Sequence, residues 1–265
     1  MHNNILVSII TIIYNGEDHI QECVDSVRSQ TYKNIEYIVV DGGSTDSSLD
    51  IIKKNLDIIT AWKSEKDNGI SDAFNKGIKQ AKGDIIGILN CDDKYYPETI
   101  ESVVNAYQEN GFSEAVFYGD ITYFNNKNEY SLIPEISKIW KYMSIFHPAT
   151  FVSKSLYNKF GVYSLEYKYA MDSELIHRLL FNHCNFIYIP KTLTKFRLEG
   201  KSDINYINSY KEFFKSVKGY NGNEFGKLYM YYGLLKKRLL HSSLGTFINN
   251  NRRKLPFLYS GKLKK

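Results

Sequence analysis

Cysteine is scarce in this chain: three residues in 265, Cys23, Cys91 and Cys184. An odd number without metal-type spacing argues against a disulfide framework and a zinc site, and fits a reducing, cytoplasmic setting. No apolar run approaches the roughly 20 residues that a membrane-spanning helix needs. There is no internal repeat and no low-complexity linker. Two nucleotide signatures are missing as well. The first turn holds one glycine, Gly16, instead of G-x-G-x-x-G, and G-x-x-x-x-G-K-[ST] occurs nowhere. His2, His19, His177, His183 and His241 form no ligand-like cluster. Acidic residues are absent from Lys227 to Lys265, a stretch with ten Lys/Arg, which leaves 24 basic against 29 acidic groups before it. The formal charge of +5 therefore hides a mildly acidic body and a strongly basic tail that face different partners.

What is present is a rhythm. The opening "MHNNILVSIITIIYNGE" lacks the basic n-region and small-residue cleavage site of a signal peptide, so Ile5 to Ile13 reads as a buried strand. "IEYIVV" is a second β-branched strand, as expected in a parallel sheet. Between them Ile20, Cys23, Val24 and Val27 fall at helical spacing. "SSLDIIKKN" predicts a second helix, "DIITAWKS" a third strand, Ile70 to Ala81 a third helix, and "DIIGILN" a fourth strand. Pro97 stands where a further helix begins. Such alternation implies an α/β sheet with helices on both sides. After Gly111 the pattern loosens. "EAVFYGDITYF" and "NEYSLIP" predict a hairpin across "NNKN", a helix begins near Ala170, "NFIYIPKTLTKFRLEG" is extended, and helices follow from about Asn205.

Ligands in open α/β sheets bind beyond the carboxyl ends of the strands. Here those ends read "IYNGE", "VDGGSTD", "SEKDNG" and "NCDDKYY", which gathers Asp41, Asp46, Asp67, Asp92 and Asp93 on one edge. Clustered aspartates repel a bare diphosphate. With Mg²⁺ or Mn²⁺ between them the sign reverses, because carboxylates bind a hard cation whose other positions take phosphate oxygens. The bland reading is that Asp92-Asp93 forms a turn ahead of a helix, and that Asp41 closes an Asx turn through Ser44 or Asp46.

Taken together, "VSIITIIYNGEDHIQECVDSVRSQTYKNIEYIVVDGGSTDSS" and "SEKDNGISDAFNKGIKQAKGDIIGILNCDD" resemble the family 2 inverting glycosyltransferases of bacterial polysaccharide and lipid-linked glycan synthesis. The likeness is close over residues 5–100 and looser over 145–202. It implies a GT-A fold: a Rossmann-like, mostly parallel sheet at 1–110, an acceptor side at 111–204, and here a helical basic extension at 205–265. It implies a UDP-sugar donor, a saccharide or lipid-linked acceptor, and Mn²⁺ or Mg²⁺. Tyr14 and Asp41 would hold the nucleobase, Asp92 the ribose or the metal, and Asp93 the metal as its principal ligand. Asp67, Asp72 and Asn75 would line the nucleotide-sugar pocket, although Asn75 is open to a purely structural contact. Asn90 departs from the usual D-x-D spelling, and Ile12-Ile13 from a frequent Pro-Thr.

The same resemblance places the general base, which removes the acceptor proton, at the start of the helix in "YAMDSELIHRLL". That residue is Asp172, with Glu174 as the alternative. His147 in "FHPATF" would touch the diphosphate or acceptor, and Arg197 or Lys201 the leaving group. The tail "LLKKRLLHSSLGTFINNNRRKLPFLYSGKLKK" suits the anionic inner face of a membrane, or else a helical pair docked on the body. Nucleic acid is disfavoured by the acidic body. Rival readings are a sugar nucleotidyltransferase, which would need a Gly-rich basic loop after the first strand, and a catalytically silent nucleotide-sugar-binding or scaffold protein.

Overall fold

Parallel strands that are buried on both faces must be mainly apolar on both faces, and three of the first four strands are; the short third one, at the sheet edge, is largely exposed. In the computed structural model, which describes residues 5–124, 129–197, 205–221 and 235, β1 (Val7–Ile13), β2 (Ile35–Asp41), β3 (Ala61–Ser64) and β4 (Ile85–Asn90) run parallel. Alternate residues feed two cores. Ile9, Val39, Ile85 and Leu89 face α1 (Ile20–Arg28), α2 (Ser48–Lys54) and α4 (Thr99–Glu109). Ile10, Ile38, Val40, Ile86 and Ile88 face α3 (Ile70–Gln80), α5 (Lys154–Phe160) and α6 (Met171–Phe181). Gly77 lets α3 lie against β1, because a Cβ there would overlap the Ile10 side chain.

The remaining strands are β5 (Lys94–Tyr95), β6 (Ala115–Phe124), β7 (Glu129–Leu132), β8 (Thr150–Ser153) and β9 (Asn185–Arg197). They extend the sheet in the order β3-β2-β1-β4-β8-β6-β9-β5, with β7 also on β6. β8 is antiparallel to β4 and β6, while β6 and β9 are parallel with register shifts around Asp120. The expected hairpin is the antiparallel β6–β7 pair. A last helix, α7 (Tyr206–Asn221), packs Phe213, Phe214 and Val217 against Ala170 beside Trp140 and Met143.

This sheet puts the site where the topology demands. β1, β2 and β4 end side by side with Ile13 opposite Asp41 and Ile12 opposite Asn90. β5 then pairs with β9, so the Asp92-Asp93 turn is enclosed between β4 and the end of β9. Helices predicted beyond 221, and the basic tail, lie outside the described residues, as does Lys201. Among the described residues no helix is long and apolar enough to cross a membrane.

Candidate active site

The loops after β1 and β2 are laced together. Asn15, at φ 50°, donates its N–H to Ser44 Oγ, and its side-chain oxygen accepts from the Thr45 N–H. Glu17 N–H meets Asp46 Oδ2 at 3.0 Å, and Glu17 Oε2 accepts from Ser47 N–H at 2.8 Å. This lacing holds Tyr14 at the surface, 55% exposed.

Asp41, by contrast, is fully buried. Its carboxylate accepts from the N–H groups of Gly43 and Ser44 and from the hydroxyls of Ser44 and Ser64. A carboxylate has about four acceptor positions, so this one is filled. Asp41, the candidate for the nucleobase, forms the Asx turn that shapes the loop. Asp67 takes a half-buried place. A Cβ on Gly42 would overlap Asp67 Oδ2 and lie 3.5 Å from Tyr14 Cδ2, so glycine makes room for the Asp67 carboxylate beside the tyrosine. Asp67 Oδ1 accepts from Gly69 N–H at 2.9 Å.

Two further pocket candidates serve the scaffold. Asp72 accepts from Asn68 N–H at 2.9 Å and pairs with Lys76 at 3.1 Å, and the Asn68 bond leads the causes that lower its pKa. Asn75 is clamped at both ends of its amide: Nδ2 donates to Tyr163 O at 2.8 Å, and Oδ1 accepts from Tyr163 N–H at 2.9 Å. Its contact is structural, and it reaches across to the segment before α6.

At the end of β4 the bonding is incomplete. Asp93 is 1% exposed; Oδ1 accepts from Arg197 N–H at 3.0 Å, and Oδ2 is buried without a donor. Burial, and then the neighbouring Asp92 charge, push its carboxyl up to about 8. Asp92 is only half-buried. The Asn90 side-chain oxygen is also buried without a partner. Among the described residues no three His, Cys, Asp or Glu side chains gather to cage an ion. Mg²⁺ and Mn²⁺ sites on nucleotide enzymes do not need such a cage, since one or two carboxylates and substrate phosphates suffice. The orphaned hard oxygens of Asp93 and Asn90 beside Asp92 fit that kind of ion.

Asp172 stands in the first turn of α6. His147 Nδ1 lies 3.1 Å from Asp172 Oδ2, and His147 Nε2 meets the Asn90 amide nitrogen at 3.1 Å. With Nδ1–H pointing at the aspartate, Nε2 accepts from Asn90; protonating the ring requires that amide to turn its oxygen over. Burial lowers the imidazole pKa, but the Asp172, Asp93 and Asp92 charges outweigh it and the net shift is upward. Asp172 Oδ1 has no donor. It borders a small cavity with Met143, Thr150, Tyr157 and Tyr163. Burial raises both phenols, with the Asp172 charge adding to it, so they remain O–H groups. The alternative base, Glu174, is 3% exposed and held by Arg178 at 2.9 Å and by the Tyr220 hydroxyl at 2.7 Å. Arg197 reaches Glu22 at 3.6 Å and covers the Phe124 ring at 4.7 Å.

Sequence reasoning named Ser44 in the Asp41 turn but missed Ser64 as a further partner, and it missed Tyr157 and Tyr163 behind Asp172. Ser64 carried no distinguishing signal. The tyrosines gave none among 22.

Known proteins resemble this chain along most of its length. The profile of glycosyl transferase family 2 matches residues 8–164. An uncharacterized glycosyltransferase of Rickettsia typhi is 33% identical over 193 residues, 66% of this chain and 58% of the relative, so the chain spans little more than half of that protein. One of Mycobacterium tuberculosis is 33% identical over 73% of this chain and 76% of its own length. A PGL/p-HBAD biosynthesis glycosyltransferase of Mycobacterium bovis is 30% identical over 67% and 70%. Among solved structures, Staphylococcus aureus TarS 1-349 with UDP-GlcNAc superposes at TM-score 0.65 and 19% identity, covering 89% of this chain and 73% of that 1-349 fragment. The mannosyltransferase PcManGT of Pyrobaculum calidifontis, with GDP-Man and Mn²⁺, superposes at 0.64 and 15% identity over 96% and 81%.

Proposed function

The chain belongs to glycosyl transferase family 2 and has a GT-A fold, and we propose that it moves a hexose or N-acetylhexosamine from a UDP-sugar to a saccharide or lipid-linked glycan with inversion. The observation that carries this reading is the contrast at Asp172. It is the carboxylate of α6 with an oxygen lacking any donor, and it is held at its other oxygen by His147.

In the proposed reaction Asp172 takes the proton of an acceptor hydroxyl. That oxygen forms its bond to the anomeric carbon as the carbon–oxygen bond to the diphosphate breaks, and the nucleoside diphosphate leaves with the bonding pair. The His147 N–H keeps the Asp172 carboxylate oriented, and Tyr157 and Tyr163 line the cavity beside it. Asp92 and Asp93, with the Asn90 oxygen, are the groups that would hold Mg²⁺ or Mn²⁺, which supplies charge stabilisation for the departing diphosphate.

Tyr14 and Asp67 form the proposed base site. One Asp67 oxygen is already bonded to Gly69, which suits uracil with its single edge N–H better than guanine with two. The tail gives peripheral attraction to an anionic leaflet, about 1 kcal/mol per Lys/Arg near the surface, useful for a lipid-borne acceptor.

The test is turnover of UDP-, GDP- and dTDP-sugars with a lipid extract, with and without EDTA, and the product anomer read by proton NMR. UDP-sugar turnover that EDTA abolishes, with inverted product, is expected. Retained configuration, or no turnover of any donor, overturns the reading.

A further inference from the structure

Helix α6 begins badly by its own sequence. Its N-cap residue is Ala170, which has no side-chain acceptor, and no cap hydrogen bond is made within the helix's own turn. Yet this is the end that presents Asp172. The orphan N–H groups of a helix start need acceptors, and here one comes from 42 residues away: Glu212 Oε2, on α7, accepts from the N–H of the N-cap residue Ala170 at 3.0 Å, and also from that of Tyr169, just before the helix, at 2.7 Å.

The same face of α7 grips α6 further along. Tyr220 donates its hydroxyl to Glu174 Oε1, and Ser216 Oγ lies 2.8 Å from His177 Nδ1. Lys215 pairs with Glu166 at 3.1 Å and covers the Tyr167 ring at 4.6 Å, so the segment leading into α6 is held too. Asp172 thus sits between neighbours that α7 fixes, while its own Oδ1 is left unbonded.

Resting on the reading of Asp172 as the base, we propose that Glu212 is a positioning residue for the transfer reaction. Its carboxylate is a cap supplied in trans that sets the height and tilt of the first turn of α6, and so the place of the Asp172 oxygen relative to the acceptor hydroxyl. The functional unit then runs through α7 and does not end with the sheet. A carboxylate is suited to this task, since it accepts from two backbone N–H groups at once and its charge complements the helix start. The hydrogen bonds of Glu212 go to Tyr169 and Ala170 on the acceptor side, so the effect belongs to turnover and not to nucleotide binding.

The test uses the full chain as Glu212→Ala and Glu212→Gln, with kcat, donor KM, UDP affinity by calorimetry, and amide hydrogen exchange. Glu212→Ala is expected to lower kcat about thirtyfold, a 1 Å-scale misplacement effect, with donor KM and UDP affinity within twofold. Exchange over residues 169–173 should rise at least tenfold while the sheet amides stay unchanged. Glu212→Gln, which keeps a carbonyl acceptor, should recover kcat to within about threefold. A folded Glu212→Ala with kcat within twofold of the parent overturns the proposal, as does an equal loss of kcat and UDP binding. If Glu212→Ala does not fold, Tyr220→Phe decides: a three- to fivefold loss of kcat at unchanged UDP affinity supports the grip of α7, and unchanged kcat overturns it. A parent chain without turnover sinks the functional reading instead, and the exchange result then judges the trans cap alone.

Discussion

The carboxylates on the two sides of this site are bonded in opposite ways. On the donor side Asp41 and Asp72 are engaged by backbone, hydroxyl or ammonium donors. Where the donor and acceptor sides meet, Asp93 and Asp172 each keep an oxygen that no protein group satisfies. A buried unsatisfied carboxylate oxygen is expensive, so the second pattern supports the proposal that a ligand meets the protein at these two places. The comparison separates aspartates that build loops from the two proposed to meet a ligand.

The comparison breaks first at Asp41. Replacing it with alanine strands two N–H groups and two hydroxyls, and should cost about 4 kcal/mol of stability, read by urea denaturation; a loss below 1 kcal/mol would mean the loop does not depend on it. Acid offers a smaller, scaffold-side effect. His177 is fully buried against Trp140 and Phe213, and burial lowers its pKa to about 4. Its folded value lies below the ordinary one near 6.5. The neutral ring's contribution is therefore complete above about pH 6.5 and is lost as pH falls towards 4, about 3 kcal/mol in all. Denaturation curves across that window should show this drop in the parent and not in His177→Gln.

On the working side, His147→Ala should lower kcat about thirtyfold, equivalent to about 2 kcal/mol, with UDP affinity within threefold. A large loss of UDP affinity instead would return His147 to the diphosphate. The smallest effect is expected at Asn75→Ala. Two hydrogen bonds to Tyr163 are lost, about 2 kcal/mol or less, and donor KM should stay within threefold.

Much of the donor half was legible because parallel strands write themselves as β-branched runs that stop at polar turns. The helix that Asp172 opens was legible near Ala170, whereas the role proposed for Asp172 came from the family resemblance. The short strands β5 and β8 were not, because two to four residues hold no period and their pairing is decided by partners 100 and 65 residues away. A residue type was also not enough to assign a role. Asp41 and Asp67 look alike as acidic residues that follow successive strands, and only the hydrogen-bond donors around each distinguish a filled loop former from a half-buried, partly bonded acceptor. Glu212 left no trace in its local sequence, since what it caps is another helix.

The most direct measurement is kcat and UDP-sugar affinity of Asp172→Asn. The side chain keeps its size and can still accept from His147, but it cannot take up a proton. The account predicts a thousandfold or greater loss of kcat, on the order of general-base removal, with donor affinity and thermal midpoint nearly unchanged. Turnover within tenfold of the parent would contradict it.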